Sequence, residues 1–550
     1  MMGRHDPQQS LYCVVDLDSR IPESHPLRTL KRVVDFSFVR GEVAPFYGYN
    51  GHESIDPEIV LKLMVLLFID NVPSERELMR QVAYRLDYLW FLNMDLNDAV
   101  PDHSILSKAR ARWGSRAFEK LFIRTVQQCV EAGLVGGEKL HMDASLVDAN
   151  TSKNSVHKGS PQMIAALKAL YAEQEEKLEE RPGRRGKRRP RRHDDNGQDG
   201  DESTPPDASS PPDTPSPQPM DDAAQELTRT IEATPTPAEG PAGKPKVNDA
   251  CVSSTDPDAA IASHAPNCKS GPRPRYMSHR AVDDQAGVIT AVISTPGDVN
   301  EGSLLTRLID EHECNSGMIV QTAVADTKYG TIENYLECDR LDITPHMADL
   351  NRKHEAGERR GGIFPESRFV YDLLTNTYRC PAGQTLSPAR YHKKRSSTDY
   401  TAARGVCAKC PLREQCTRCK TGRSIKRHDD QTLINAARAA SASPAAKRDR
   451  RRRRYLMEGS FADASNNHGL KRSRWRRLWR QTIQDRMIAA VQNMRILLRH
   501  GGGSARTFPV ASMRCRTLRR VRTVWYRVPR RGVVRRLGSP TRLSSRFVRR

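Results

Sequence analysis

Gly287 to Asp326 reads GVITAVISTPGDVNEGSLLTRLIDEHECNSGMIVQTAVAD, and its alternation decides the fold class. Gly287 to Ile293 is β-branched and apolar, as a buried strand is, whereas Gly302 to Glu313 spaces its apolar residues at helical intervals. Met318 to Val324 returns to a strand pattern. Working outward, a helix is expected after Tyr329, a strand near Leu341 to Thr344, and an earlier strand from Leu140 to Val147. Strands alternating with helices in this way predict an α/β layer around a mostly buried sheet. Ile483, Met487, Ile488, Val491, Met494 and Leu498 recur at helical spacing, so a long amphipathic helix should cover that sheet.

Residues 54–132 read as consecutive helices, which gives an all-helical N-terminal domain over 1–135. Asp56 is placed to cap a helix that begins at Pro57, with Ile59, Leu63, Leu66 and Leu67 along one face. Ser74 and Glu77 fit a capping box. Asp102 can cap a third helix carrying Lys108, Arg110 and Arg112, three candidate phosphate contacts.

Composition bounds the function. The chain has 550 residues, more than one core usually holds at about 250 to 300 residues. Its net charge of +23 points to a polyanionic partner, because clustered Lys and Arg displace counterions from nucleic acid. Residues 501–550 carry fifteen arginines and no acid, and read as a disordered basic tail. Residues 175–270, crowded with Pro, Ser, Asp and Arg, read as a disordered linker. That linker would divide the catalytic layer into 136–174 and 271–375, with its last helices at 426–500. The longest apolar run, Leu63 to Ile69, is too short to span a bilayer and no charged start precedes an apolar segment, so a cytoplasmic protein is expected.

Five of the twelve cysteines lie between Cys380 and Cys419, within an expected insertion at 376–425. The CAKC turn offers Cys407 and Cys410 as paired thiolates. Cys416 with Cys380, or alternatively with Cys419, would complete a tetrahedral structural zinc site. Three acids stand out as candidate ligands for magnesium or manganese. Asp143 lies in the strand-like HMDASLVDAN, Asp326 ends the run MIVQTAVAD, and Glu458 follows Arg454 by one helical turn. An ordinary surface ion pair explains the Arg454 and Glu458 spacing equally well. His279 and Asp283 precede the second strand region and are not assigned a role.

Several segments occur in an order that resembles the DDE transposases of bacterial insertion sequences. They are PDHSILSKARARW, HMDASLVDANTSKNS, SHRAVDDQAGVITAVISTPGDVNEGSLL, ADTKYGTIENY and RRRRYLMEGSFADASNNHGLKRSRWRR, and the resemblance covers most of residues 25–500. It implies an RNase H-like catalytic domain in which Asp143, Asp326 and Glu458 are catalytic and bind magnesium or manganese. It further implies double-stranded DNA as partner, metal-dependent cleavage at the element's ends, strand transfer to target DNA, and assembly as a homo-oligomer on DNA. Arg454 matches the family's arginine. Two positions depart from the pattern: the tyrosine three residues before that arginine is Arg451, and the lysine seven residues after the glutamate is Ser465. Lys471 or Arg472 would then substitute in DNA contact. The alternative is a catalytically inactive or regulatory DNA-binding derivative.

Overall fold

A computed structural model describes residues 15–48, 53–179, 247–263, 271–350 and 363–500. The expected basic tail at 501–550 lies outside the described residues, as does most of the expected linker. The exception is instructive. Helix Pro161–Glu179 runs into that stretch, and residues 247–263 form a 3-10 turn and two short strands. There Asp256 is fully buried, accepts a hydrogen bond from the backbone of Arg477 at 2.9 Å, and pairs with the Tyr276 hydroxyl. Composition averaged over the whole stretch concealed this anchor. Among the described residues, no helix is long and apolar enough to cross a membrane.

Among the described residues, eight α-helices precede the first strand, from Leu17–Arg20 to Arg116–Glu131. Helix Pro57–Ile69 starts as expected, with the Asp56 carboxylate accepting from the Glu58 N–H at 2.9 Å and Pro57 in the first turn. It differs in burial: Val60 to Phe68 are buried without a break, so the helix is enclosed rather than one-faced. The helices that enclose it include Leu478–Arg499. Leu63 and Phe68 share one apolar core with Met487 and Val491 of that helix and with Val282 and Ile289 of the sheet. The helical block and the main sheet therefore share a common core.

The strands in chain order are β1 (Lys139–Asp148), β2 (Val156–Lys158), β3 (Cys251–Ser253), β4 (Ala260–Ala262), β5 (Arg273–Asp283), β6 (Ile289–Pro296), β7 (Thr322–Val324) and β8 (Thr344–His346). β1, β5 and β6 pair antiparallel, while β1, β7 and β8 pair parallel, which puts β1 at the centre of the main sheet. Successive residues point to opposite faces. Met142, Ala281 and Ala291 meet Leu305 and Leu308 of helix Leu305–Ser316, while Val282 and Val292 meet the helix Leu478–Arg499 side.

After β8, a second sheet of five strands runs as a meander: β9 (Val370–Asp372), β10 (Thr377–Arg379), β11 (Thr385–His392), β12 (Ser397–Ala402) and β13 (Ser424–His428). Phe369, Tyr378, Leu386, Tyr400 and Ile425 form its small core. The chain returns to the main sheet through helices Gln431–Ala442 and Pro444–His468. The second of these is capped by Ser443, starts at Pro444, and ends at Gly469 with φ +69°. Asp449 fastens it across two strands, to Lys139 of β1 at 2.9 Å and to His346 of β8 at 2.7 Å.

Candidate functional site

Asp143 sits in the middle of β1, opposite Arg280 of β5, and Asp326 lies just past the end of the neighbouring β7. Parallel pairing of β1 with β7, His141 opposite Val324, brings both acids to the same level beyond the end of β7. The third member of the cluster is Glu301. Carboxylate oxygens of Asp143, Glu301 and Asp326 all lie within 4.8 Å of one another, which among the described residues is the one such group of potential metal ligands. Three hard oxygen donors at that spacing suit a divalent magnesium or manganese ion.

Close loop packing brings Glu301 there. Asn300 caps the turn Glu301–Leu304 by accepting from the Gly302 N–H at 3.0 Å. A Cβ at Gly302 would stand 2.6 Å from the Lys328 carbonyl oxygen, so only glycine lets this turn approach the loop that follows Asp326. Asn334 then ties the two loops, donating to the carbonyls of Gly302 and Tyr329, each at 2.8 Å. Asp326 is itself held by the Lys328 N–H at 2.8 Å.

Clustered carboxylates repel, and two cations balance them. Arg453 donates to Asp143 at 2.7 Å from the inner face of helix Pro444–His468, and Lys328 donates to Glu301 at 2.5 Å. Burial pushes the Asp143 carboxyl above its usual range, against the pull of Arg453, and Asp326 pushes it further up. Burial likewise raises Glu301 against the pull of Lys328. Both acids thus bind protons more readily than free carboxyls do, and an arriving cation must compete with Arg453.

Glu458 stands apart from this group. It is exposed on helix Pro444–His468, five residues beyond Arg453 and so about 140° round the helix. Glu301 escaped the sequence reading because no strand ends beside it; the usable signal was an acid between a capping Asn300 and Gly302.

The expected DNA contacts divide similarly. Lys108, Arg112, Arg454, Lys471 and Arg472 are exposed, and Lys471 also donates to Ser145 of β1 at 2.7 Å. Arg110 is a correction. It is buried, pairs with Glu75 at 2.5 Å and lies 4.0 Å from the Trp475 ring centre, so it holds the helical block to the C-terminal region. Cys380, Cys407, Cys410 and Cys416 line one apolar cavity with Phe364 and Leu386, but Cys419 does not. No three of these sulfurs come within 4.8 Å of one another, so the thiols are neighbours without tetrahedral spacing, and the zinc expectation is not supported.

A family described as a transposase domain matches residues 15–112, and one described as a transposase DDE domain matches residues 379–498. These two matches support reading the chain as a DDE transposase of an insertion sequence. The DDE match includes Glu458 but neither aspartate, so the transposase is recognised there by its cysteine-rich sheet and last helices. Neither the curated proteins nor the solved structures contain a match.

The Arg453 contact makes a prediction about this transposase. Arg453→Gln removes the cation that competes for Asp143, and one charge-assisted hydrogen bond corresponds to roughly tenfold in affinity. Mn²⁺ titrated calorimetrically into the DNA-free variant should bind about tenfold tighter than into the parent. Equal or weaker binding would mean that Arg453 supports the site instead of guarding it.

Proposed function

We propose that this transposase hydrolyses phosphodiesters at the ends of its insertion sequence and joins the freed 3′-hydroxyl to target DNA. The observation that carries the reading is the convergence of Asp143, Glu301 and Asp326 from three separate segments. A sheet with three antiparallel strands followed by two parallel ones supports an RNase H-like catalytic layer. Magnesium or manganese held by these carboxylates would neutralise charge on the phosphate and lower the pKa of the attacking oxygen. Asp143 and Asp326 act as ligands fixed by the sheet, and Glu301 closes the site from its glycine-dependent turn. Glu458 is assigned to the DNA-bound state, where a strand laid along its helix would bring phosphate and carboxylate together.

The test is a plasmid carrying the element's two ends, incubated with the protein in Mg²⁺. Excised and rejoined products support the reading. Tight binding to those ends with no cutting in Mg²⁺, or with Mn²⁺ in its place, would make the chain a DNA-binding derivative.

Lys108 and Arg112 are proposed to meet the backbone of the ends. Replacing both with alanine should reduce the slope of log K against log salt by about 1.8, at about 0.9 per lost phosphate contact. An unchanged slope would move the contact elsewhere. Arg110 is omitted from this test because it is buried and paired with Glu75, so its loss would also weaken the packing of the helical block.

A further inference from the structure

Helix Pro444–His468 has two faces of different character. Ala446, Asp449, Met457 and Ala464 are buried against the sheet, and Arg453 joins them to reach Asp143. The opposite face presents Arg448, Arg451, Arg452, Tyr455, Gly459 and Ala462, all exposed and all at three- or four-residue spacing. Lys447 and Arg454 flank this stripe, and Glu458 is its one acid.

Tyr455 is the unusual member. It is 77 % exposed, more than any other described Phe, Tyr or Trp. A Cβ at Gly459, one turn on, would meet nothing within 4 Å, so space beside the ring is open. An exposed aromatic ring among five basic side chains offers a flat stacking face inside a positive field, and the surrounding charge selects a polyanion.

We propose that Tyr455 is a stacking platform for an unpaired base at a DNA end, with Arg448, Arg451 and Arg454 holding the adjoining phosphates. The occupant is a base with a free face. Inside an intact duplex every base face is already stacked, and at a blunt end the one free face belongs to a paired base, so the ring meets an unpaired base only where the strand is frayed, nicked or overhanging. The acidic cluster, on the reading given above, cuts DNA on the other side of the same helix and so creates such ends about one helix diameter, roughly 10 Å, from this stripe.

The experiment is fluorescence anisotropy with the full-length protein in EDTA, so that neither cleavage nor metal loading affects the result. Two labelled duplexes of equal length are compared, one blunt and one with a short unpaired 3′ end. Tyr455→Ala should weaken binding to the unpaired-end duplex about five- to 150-fold and to the blunt duplex less than about twofold. Tyr455→Phe should bind both like the parent, since the ring face is retained. Equal losses on both duplexes, a loss smaller than about twofold on the unpaired end, or a Phe variant as weak as Ala would each overturn the proposal. An active Asp143→Asn enzyme would instead overturn the metal-site reading and leave this assay untouched.

Discussion

Asp143→Asn should lower the rate of DNA cleavage by about 10⁴-fold or more, with binding to DNA ends close to that of the parent protein. The expectation follows from position. Asp143 is anchored in the central strand, its carboxylate is only 25 % exposed, and it lies within ligand reach of both other acids. Asparagine keeps the shape but removes the charge that a divalent ion needs. Asp326→Asn should be as severe, and the double variant little worse, because ligands of one site act as a unit. A parent-like cleavage rate for either variant would remove the cluster from the chemistry.

The same site predicts a pH dependence. Asp143 and Glu301 both have carboxyl groups raised by burial. A raised folded-state pKa contributes stability that is fully present below the unfolded value and is lost as pH rises through the folded one. Metal binding has the opposite sign, since it needs the charged carboxylates. The gain in thermal midpoint on adding Mn²⁺ should therefore shrink as pH falls toward the carboxylate range, and a gain independent of pH would contradict burial as the cause.

Periodicity made the main sheet legible because a buried strand and an amphipathic helix leave different repeats. The runs beginning at Gly287 and Met318 settle as β6 and β7, and the apolar stripe from Ile483 to Leu498 settles as helix Leu478–Arg499. Local chemistry was readable too, for Asp56 and Ser74 cap the helices their side chains suit. What spacing could not reveal was which surface a residue faces after folding. Arg110 carries the same charge as Arg112, yet one supports Trp475 in the interior and the other is exposed. The thiols failed for a related reason: sequence proximity placed four around one cavity without fixing the distances between their sulfurs. Glu301 was hidden because its position depends on Gly302 packing against the Lys328 backbone, a contact between loops of different sequence origin.

Glu301→Gln and Glu458→Gln should both abolish cleavage, on the order of 10⁴-fold, but they should differ in what survives. Glu301 is nearly buried and already within reach of Asp143 and Asp326, so its loss should eliminate most Mn²⁺ binding by the DNA-free protein. Glu458 is exposed and outside that group, so its glutamine variant should bind Mn²⁺ like the parent until DNA is added. Calorimetry without DNA and cleavage with DNA therefore separate a ligand present in the folded site from one recruited by the substrate. If Glu301→Gln cleaves normally, Glu301 is only the partner that holds Lys328, 2.5 Å away. If Glu458→Gln cleaves normally, Glu458 is a surface acid of the arginine-rich stripe, and the three clustered carboxylates suffice for the chemistry.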